Sequence, residues 1–247
     1  MSGHSKWSQI KRQKQAGDKK KGLVFSKLAN AITIAVRQGG GMADPVQNFR
    51  LRLIIDRAKQ ANMPKENITR AIERANAGQT GGLIEVQFEG YGPGGVAILI
   101  EAATDNRART LQEVKNVFDR TSGTLAGRGA VSYMFTPAGM LTLELGNRSL
   151  DDVFSMVVES GADDLEEAGD MVEVYTKPDK LHQIKEKLTS QGLIIRECEL
   201  ISRPNSTITM SDKESTQKII AFVNALEELE DVQKVFANFI IPDELLS

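Results

Sequence analysis

Three sets of residues in this chain have types and spacings that could do chemistry. "GYGPGG" at 90–95 is a literal G-x-G-x-x-G, carried by Gly90, Gly92 and Gly95. A dinucleotide site needs that string between a strand and a helix, whose N-terminus then holds the pyrophosphate. Here "VAILIEAAT" follows, apolar and β-branched, which predicts a buried strand, and Pro93 removes one N–H from any phosphate cradle. The string therefore reads as a glycine-rich hairpin loop, and no Gly-Lys-Ser/Thr follows to make a P-loop. "DDLEEAGD" at 163–170 gathers carboxylates but lacks the alternating oxygen ligands of a calcium loop, so a solvated hairpin is expected. One cysteine, Cys198, and two histidines, His4 and His182, make no CxxC, HExxH or zinc-type cluster. No catalytic constellation emerges, and the expectation is a protein that is not an enzyme and uses no cofactor and no metal.

The third set is cationic. Residues 1–76 hold 16 Lys and Arg against 5 Asp and Glu, while residues 77–247 hold 15 against 28. A local net of +11 beside −13 points to a polyanionic partner for the first part. Lys6, Lys11, Arg12, Lys14, Lys19, Lys20, Lys21 and Lys27 line the start of the chain. Arg50 and Arg57, seven apart, share one helix face, and Arg52 and Lys59 share another, with Asp56 placed to neutralise part of it. Lysine clusters meet phosphates and release counterions. Trp7 lies inside the run, either as a stacking platform for an unpaired base or as an anchor of the segment to its own helices. The candidate nucleic-acid contacts are the eight cations at the start of the chain, from Lys6 to Lys27, with His4, Trp7, Arg37, Arg50, Arg52, Arg57 and Lys65.

These residues must be positioned by helices. From Lys19 to Gln38, Phe25, Leu28, Ala29, Ile32 and Val36 recur at helical spacing, and "GGG" at 39–41 ends the run. Asp44 reads as the N-cap of a second helix to about Ala61, with Pro45 at N1 and Gln47 at N3, burying Leu51, Ile54, Ile55 and Ala58. Pro64 opens a third, whose apolar face is Ile68, Ala71, Ile72 and Ala75, and "NAGQTGG" at 76–82 reads as a linker. The pattern then changes to strands at 84–89, 96–103 and 131–135 with a helix from Arg107 to about Thr121. Strand 140–145, helix 149–160, strands 163–167 and 171–176, helix 178–190 and strand 193–201 follow, in the β-α-β-β-α-β order of a ferredoxin-like unit. Strand 206–210, a helix from about Asp212 to Leu229 and strand 232–239 close the chain, and could complete the earlier β-β-α-β set. The expected class is α+β with three lobes: a basic helical domain at 1–78, a discontinuous α/β domain at 79–136 plus 206–247, and a ferredoxin-like domain at 137–205 inserted into it.

No apolar run approaches the roughly 18–20 residues that span a bilayer, the start has no apolar h-region, and its basic residues are mostly Lys in consecutive blocks, unlike an arginine-rich transit peptide. A single cysteine fits a reducing compartment. A cytoplasmic protein with no membrane partner is expected, its oligomeric state left open.

"GHSKW" at 3–7, "GGG" at 39–41, "NFRLRLIIDRAKQANMPKENITRAI" at 48–72 and "EGYGPGGVAILIEAATDNRART" at 89–110 resemble the YebC/PmpR family, and the similarity extends over essentially the whole chain. The resemblance implies three lobes with the last inserted in the middle one. It also implies a non-enzymatic regulator of gene expression without a cofactor: a DNA-binding transcriptional regulator, or a translation factor that helps ribosomes through proline-rich stretches. Two departures stand in the middle lobe: "SGTLAG" at 122–127 replaces the family's "GG-x-LG" turn, and Tyr133 stands where Trp is frequent.

The residues contain no helix-turn-helix, zinc finger or RNP-type aromatic sheet. Phosphate contacts position a protein without reading sequence. The leading expectation is therefore contact with ribosomal RNA on translating ribosomes, with DNA binding as the alternative and a small-molecule sensor built on the ferredoxin-like lobe as a third.

Overall fold

The computed structural model describes residues 18–77, 82–169 and 171–245. They divide into two compact units, one of residues 18–132 with Ser211–Val235 and one of Tyr133–Met210 with the residues from Phe236 onward. Seven α-helices and three β-sheets form among the described residues.

The first unit begins with α1 (Asp18–Gln38), α2 (Phe49–Gln60) and α3 (Lys65–Asn76). Leu28, Ile32, Ala35 and Val36 of α1 meet Leu51, Ile55 and Ala58 of α2 and Ile68, Ala71 and Ala75 of α3 in one core. These are the faces the 3.6-residue period picks out. Gly40 (φ 68°) ends α1, with its N–H on Arg37 O and that of Gly41 on Val36 O, the two bonds of a Schellman motif. Asn62 (φ 58°) ends α2 the same way, its N–H on Lys59 O and that of Met63 on Ala58 O. Met63 thereby drops into the core and Pro64 starts α3, which accounts for the "NMPK" block.

Helix α2 starts at Phe49, four residues later than an N-cap at Asp44 would place it. Asp44 closes a turn of its own, accepting from Val46 N through its side chain at 2.9 Å and from Asn48 N through its carbonyl at 2.9 Å. The cap is Asn48, which accepts from Leu51 N at 3.0 Å and donates to Ala35 O and Met42 O, both at 2.9 Å. One buried amide thus ties two helices and the loop between them, and Gly39 leaves it room: a Cβ there would lie 2.3 Å from the Asn48 Nδ2.

A four-stranded sheet in the order β3-β1-β2-β9 completes this unit, from β1 (Ile84–Tyr91), β2 (Ala97–Thr104), β3 (Thr124–Ala126) and β9 (Val232–Ala237). β1 and β2 pair antiparallel from Ile84↔Thr104 to Tyr91↔Ala97. Helices α4 (Arg107–Arg120) and α7 (Lys213–Glu227) meet through Phe118 and Phe222, whose rings stand edge to face with centroids 5.0 Å apart. Asn106 and Asp212 cap them, as their positions before the periodic runs imply. The strand expected at 131–135 does not form there: Ser132–Met134 is a 3-10 turn and the strand begins at Phe135. The N–H groups of Val131 and Ser132 are held by the Glu89 carboxylate, so they cannot enter a ladder.

The second unit contains β4 (Phe135–Glu144), α5 (Leu150–Ser160), β5 (Asp164–Ala168), β6 (Met171–Thr176), α6 (Leu181–Ser190) and β7 (Ile194–Pro204). Their sheet runs β5-β6-β4-β7, antiparallel throughout. The carboxylate-rich segment from Asp164 is the β5–β6 hairpin, part of it outside the described residues. β8 (Ile208–Thr209) and β10 (Phe239–Ile240) form a short parallel pair in the same unit; β8 is shorter than the strand expected at 206–210, while the strand expected at 232–239 is β9, ending at Ala237.

Candidate nucleic-acid interface

Of the predicted contacts, His4, Lys6, Trp7, Lys11, Arg12 and Lys14 lie outside the described residues, and Lys19 and Lys20 enter only as backbone of the first turn of α1. Lys21 follows, exposed, on the next residue of α1. Lys27 is half-buried and donates to the carbonyl of Glu227 at the end of α7, where the helix dipole favours a cation. Arg37 donates to the carbonyl of Leu83, just before β1. Both cations on the body of α1 are thus engaged in joining parts of their own unit.

Helix α2 presents the clearest outward charge. Arg50 and Arg57 are exposed, two turns and about 10 Å apart along one side of the helix. Arg52 is half-buried, its guanidinium carbon 5.6 Å from the centre of the Phe49 ring, a cation–π distance. Lys59 is exposed on the same side as Arg52, and Lys65, also exposed, stands in the first turn of α3, where the helix dipole opposes a cation. Its charge therefore gains nothing from its own helix. Arg70 and Arg74, exposed on α3, extend the basic surface and did not stand out in the sequence because Glu66 and Glu73 accompany them.

The glycine string does packing work. Gly90 and Gly92 sit against aromatic rings: a Cβ on Gly90 would lie 2.6 Å from Phe118 Cε1 and 2.6 Å from Thr124 O, and one on Gly92 would lie 2.9 Å from Phe222 Cε1. Gly94 and Gly95 take positive φ in the turn, and strand β2 follows. Beside it, Glu89 is 2% exposed and accepts from the N–H groups of Gly129, Val131 and Ser132, each at 2.8 Å. Burial pushes this carboxyl up and the three backbone bonds outweigh it, holding it below its ordinary value.

A polar cleft of about 450 Å³ in the first unit is lined by residues that include Asn30, Thr33, Arg74, Asp105, Arg109 and Asp231. Asp231 Oδ2 accepts from Thr110 Oγ1 at 2.7 Å, Arg109 Nη2 at 2.8 Å and Thr104 Oγ1 at 3.0 Å. Arg109 also reaches Asp105 at 2.9 Å, so its guanidinium is committed to carboxylates. With Glu113 and Glu230 on the same wall, acids outnumber bases there, and the cleft repels phosphates. No spacing in the sequence links Asp231 to Thr104 or Thr110, more than a hundred residues away, so only the fold brings this cluster together.

Burial pushes the Asp231 carboxyl up, and its bonds from Thr110, Arg109 and Thr104 more than reverse this, so it titrates below its ordinary value of 3.8. A depressed folded-state value adds stability above the unfolded pKa and loses it as pH falls through the folded one. Asp231→Ala is expected to cost about 2–4 kcal/mol in urea unfolding at pH 7, and less as pH falls through the acid range. Unfolding curves of both proteins between neutral and acid pH check this.

Two family models match the chain: the TACO1/YebC protein N-terminal domain over residues 5–78 and the TACO1/YebC second and third domain over residues 83–239. A "Probable transcriptional regulatory protein" of Methylacidiphilum infernorum is 44% identical over 100% of this chain and 98% of its own length. One of the same name from Aquifex aeolicus is 44% identical with the same coverage. The crystal structure of a conserved hypothetical protein from Aquifex aeolicus superposes with a TM-score of 0.84 at 42% identity, over 93% of this chain and 94% of that one.

Proposed function

Because the chain belongs to the TACO1/YebC family, we propose that it is a non-enzymatic regulator of gene expression whose basic N-terminal region binds nucleic acid, ribosomal RNA on translating ribosomes above all. The observation that carries this reading is the exposed Arg50 and Arg57 pair on α2, set in a region of net charge +11 while the rest of the chain carries −13. Cations on one helix side can follow a phosphate backbone, and a negative body keeps the remaining surface off the same polyanion. Three lobes at 1–78, 79–136 plus 206–247, and 137–205 are the arrangement proposed with it. The place of β9 beside β2 and the β5-β6-β4-β7 order support that division.

Sedimentation of a cell lysate through a sucrose gradient tests the ribosome reading. The protein is expected in ribosomal fractions at low salt and to leave them as salt rises; its absence at low salt would sink the idea. The second reading, transcriptional control through DNA, is favoured by the relatives' name, "Probable transcriptional regulatory protein". It predicts a tight DNA site that survives competitor DNA and moderate salt, whereas a contact through about six phosphates weakens by ~10³ between 50 and 200 mM salt.

A further inference from the structure

The loop between α1 and α2 turns apolar side chains to water. Val46 is 76% exposed and Met42 40% exposed, while Ala43 between them packs against the helical core. A single exposed apolar side chain is ordinary on a soluble surface. This pair differs because the loop that carries it is held by bonds that need neither side chain. Asn48 Nδ2 donates to Met42 O at 2.9 Å, Met42 N donates to Gly39 O at 3.2 Å, and Val46 N donates to Asp44 Oδ1 at 2.9 Å. Met42→Ser or Val46→Ser would keep every one of these bonds, so the turn itself does not account for the apolar surface.

The surroundings indicate what the pair meets. Arg50, exposed in the first turn of α2, stands four residues past Val46, so their Cα atoms lie within ~14 Å, about the rise of four nucleotides along one strand. The loop belongs to the region of residues 1–76, with its net charge of +11. An apolar tip among cations suits a partner with an anionic backbone and bare apolar faces, which is nucleic acid with unpaired bases. In a duplex each base is stacked on both sides, and the deep, narrow major groove of A-form RNA admits no side chain. The tip therefore gains from burial only where a base stands out of the stack.

We propose that the α1–α2 loop is the base-contacting tip of the nucleic-acid interface: Met42 and Val46 cover the face of an unpaired RNA base, and Arg50 holds a phosphate on its flank. This rests on the nucleic-acid reading above and narrows its substrate class to RNA with bulged or single-stranded bases, in preference to plain duplex. The preference comes from the loop, because phosphate contacts alone carry none.

The test compares the full-length protein with Met42→Ser plus Val46→Ser on two RNAs: a duplex of two annealed strands with a single-stranded bulge, and the same duplex fully paired. The wild type is expected to prefer the bulged RNA. The double variant should lose about 20-fold on it, since each apolar side chain half covered by a base is worth about fivefold, and should bind the paired duplex as the wild type does. Its dependence of log affinity on log salt should match the wild type's, because apolar contacts release no counterions. Circular dichroism checks the fold; should the double variant lose helix, Val46→Ser alone, at a site 76% exposed, carries the test with about a fivefold loss. Equal losses on both RNAs, or a wild type with no preference for the bulge, overturn the proposal and leave the nucleic-acid reading standing. Unchanged RNA affinity in the variant overturns it as well, and loss of self-association in sedimentation velocity would then assign the loop to a second copy of the chain. A wild type that binds neither RNA overturns both readings together.

Discussion

Reversing Arg50 and Arg57 together to glutamate is expected to weaken binding to ribosomal RNA on the order of 10²-fold at about 150 mM salt. Each arginine that meets a phosphate contributes close to one unit to the slope of log affinity against log salt, so the slope should fall by about 2. The two new carboxylates add repulsion to the loss. Both side chains are exposed while Leu51, Ile55 and Ala58 fill the core, so stability should stay within about 0.5 kcal/mol of wild type. Fluorescence anisotropy of a labelled RNA fragment over a salt series reads both numbers, and urea unfolding supplies the control. Loss of binding with an unchanged slope would mean that the two arginines act on structure and touch no phosphate.

A large effect on folding is also expected from Glu89. Its Oε1 accepts from Gly129 N and its Oε2 from both Val131 N and Ser132 N, in a site 2% exposed. Glutamine is nearly isosteric, yet its NH2 must face at least one backbone N–H that now points at a carboxylate oxygen. Glu89→Gln is therefore expected to cost about 3 kcal/mol, close to the cost of Glu89→Ala, because a buried donor left facing a donor carries its full desolvation penalty. Urea unfolding of the two variants measures this, and amide exchange at 129–132 should rise in both. A silent glutamine variant would show that the charge on Glu89 is dispensable to the loop. The sign in pH agrees: a carboxyl held below its ordinary value of 4.5 stabilises the fold above that range and ceases to do so as pH falls through its folded value.

What the sequence made legible follows the range of the forces involved. Helical periodicity is local, and Leu28, Ile32 and Val36, then Ile68, Ala71 and Ala75, lie in the core as their spacing requires. Turn chemistry is local too, which is why the glycines at 39–41 end α1 where they should. The choice between Asp44 and Asn48 as cap of α2 was not local. Both residue types can cap, and Asn48 wins because its amide also finds Ala35 O and Met42 O on the preceding helix and loop. The missing strand at 131–135 has the same origin, since its backbone donors are taken by a carboxylate 40 or more residues earlier in the chain.

The interface divides along the same line. Composition locates the basic region, but composition cannot say which cations look outward. Lys27 and Arg37 fit the pattern as well as Arg50 and Arg57 do, yet they are bound to the carbonyls of Glu227 and Leu83, 200 and 46 residues away. "GYGPGG" shows the converse. Its context argued against a phosphate loop, and the reason for its glycines appears only where Phe118 and Phe222 press on Gly90 and Gly92.

Crosslinking the full-length protein in cells, with sequencing of the bound RNA and DNA and mapping of the crosslinked residues, tests the central claim most directly. The account predicts ribosomal RNA as the dominant partner, with crosslinked residues confined to the basic first 76 and including α2. Crosslinks to specific DNA sites with no enrichment of ribosomal RNA, or contacts that map to the acidic second unit, would contradict it.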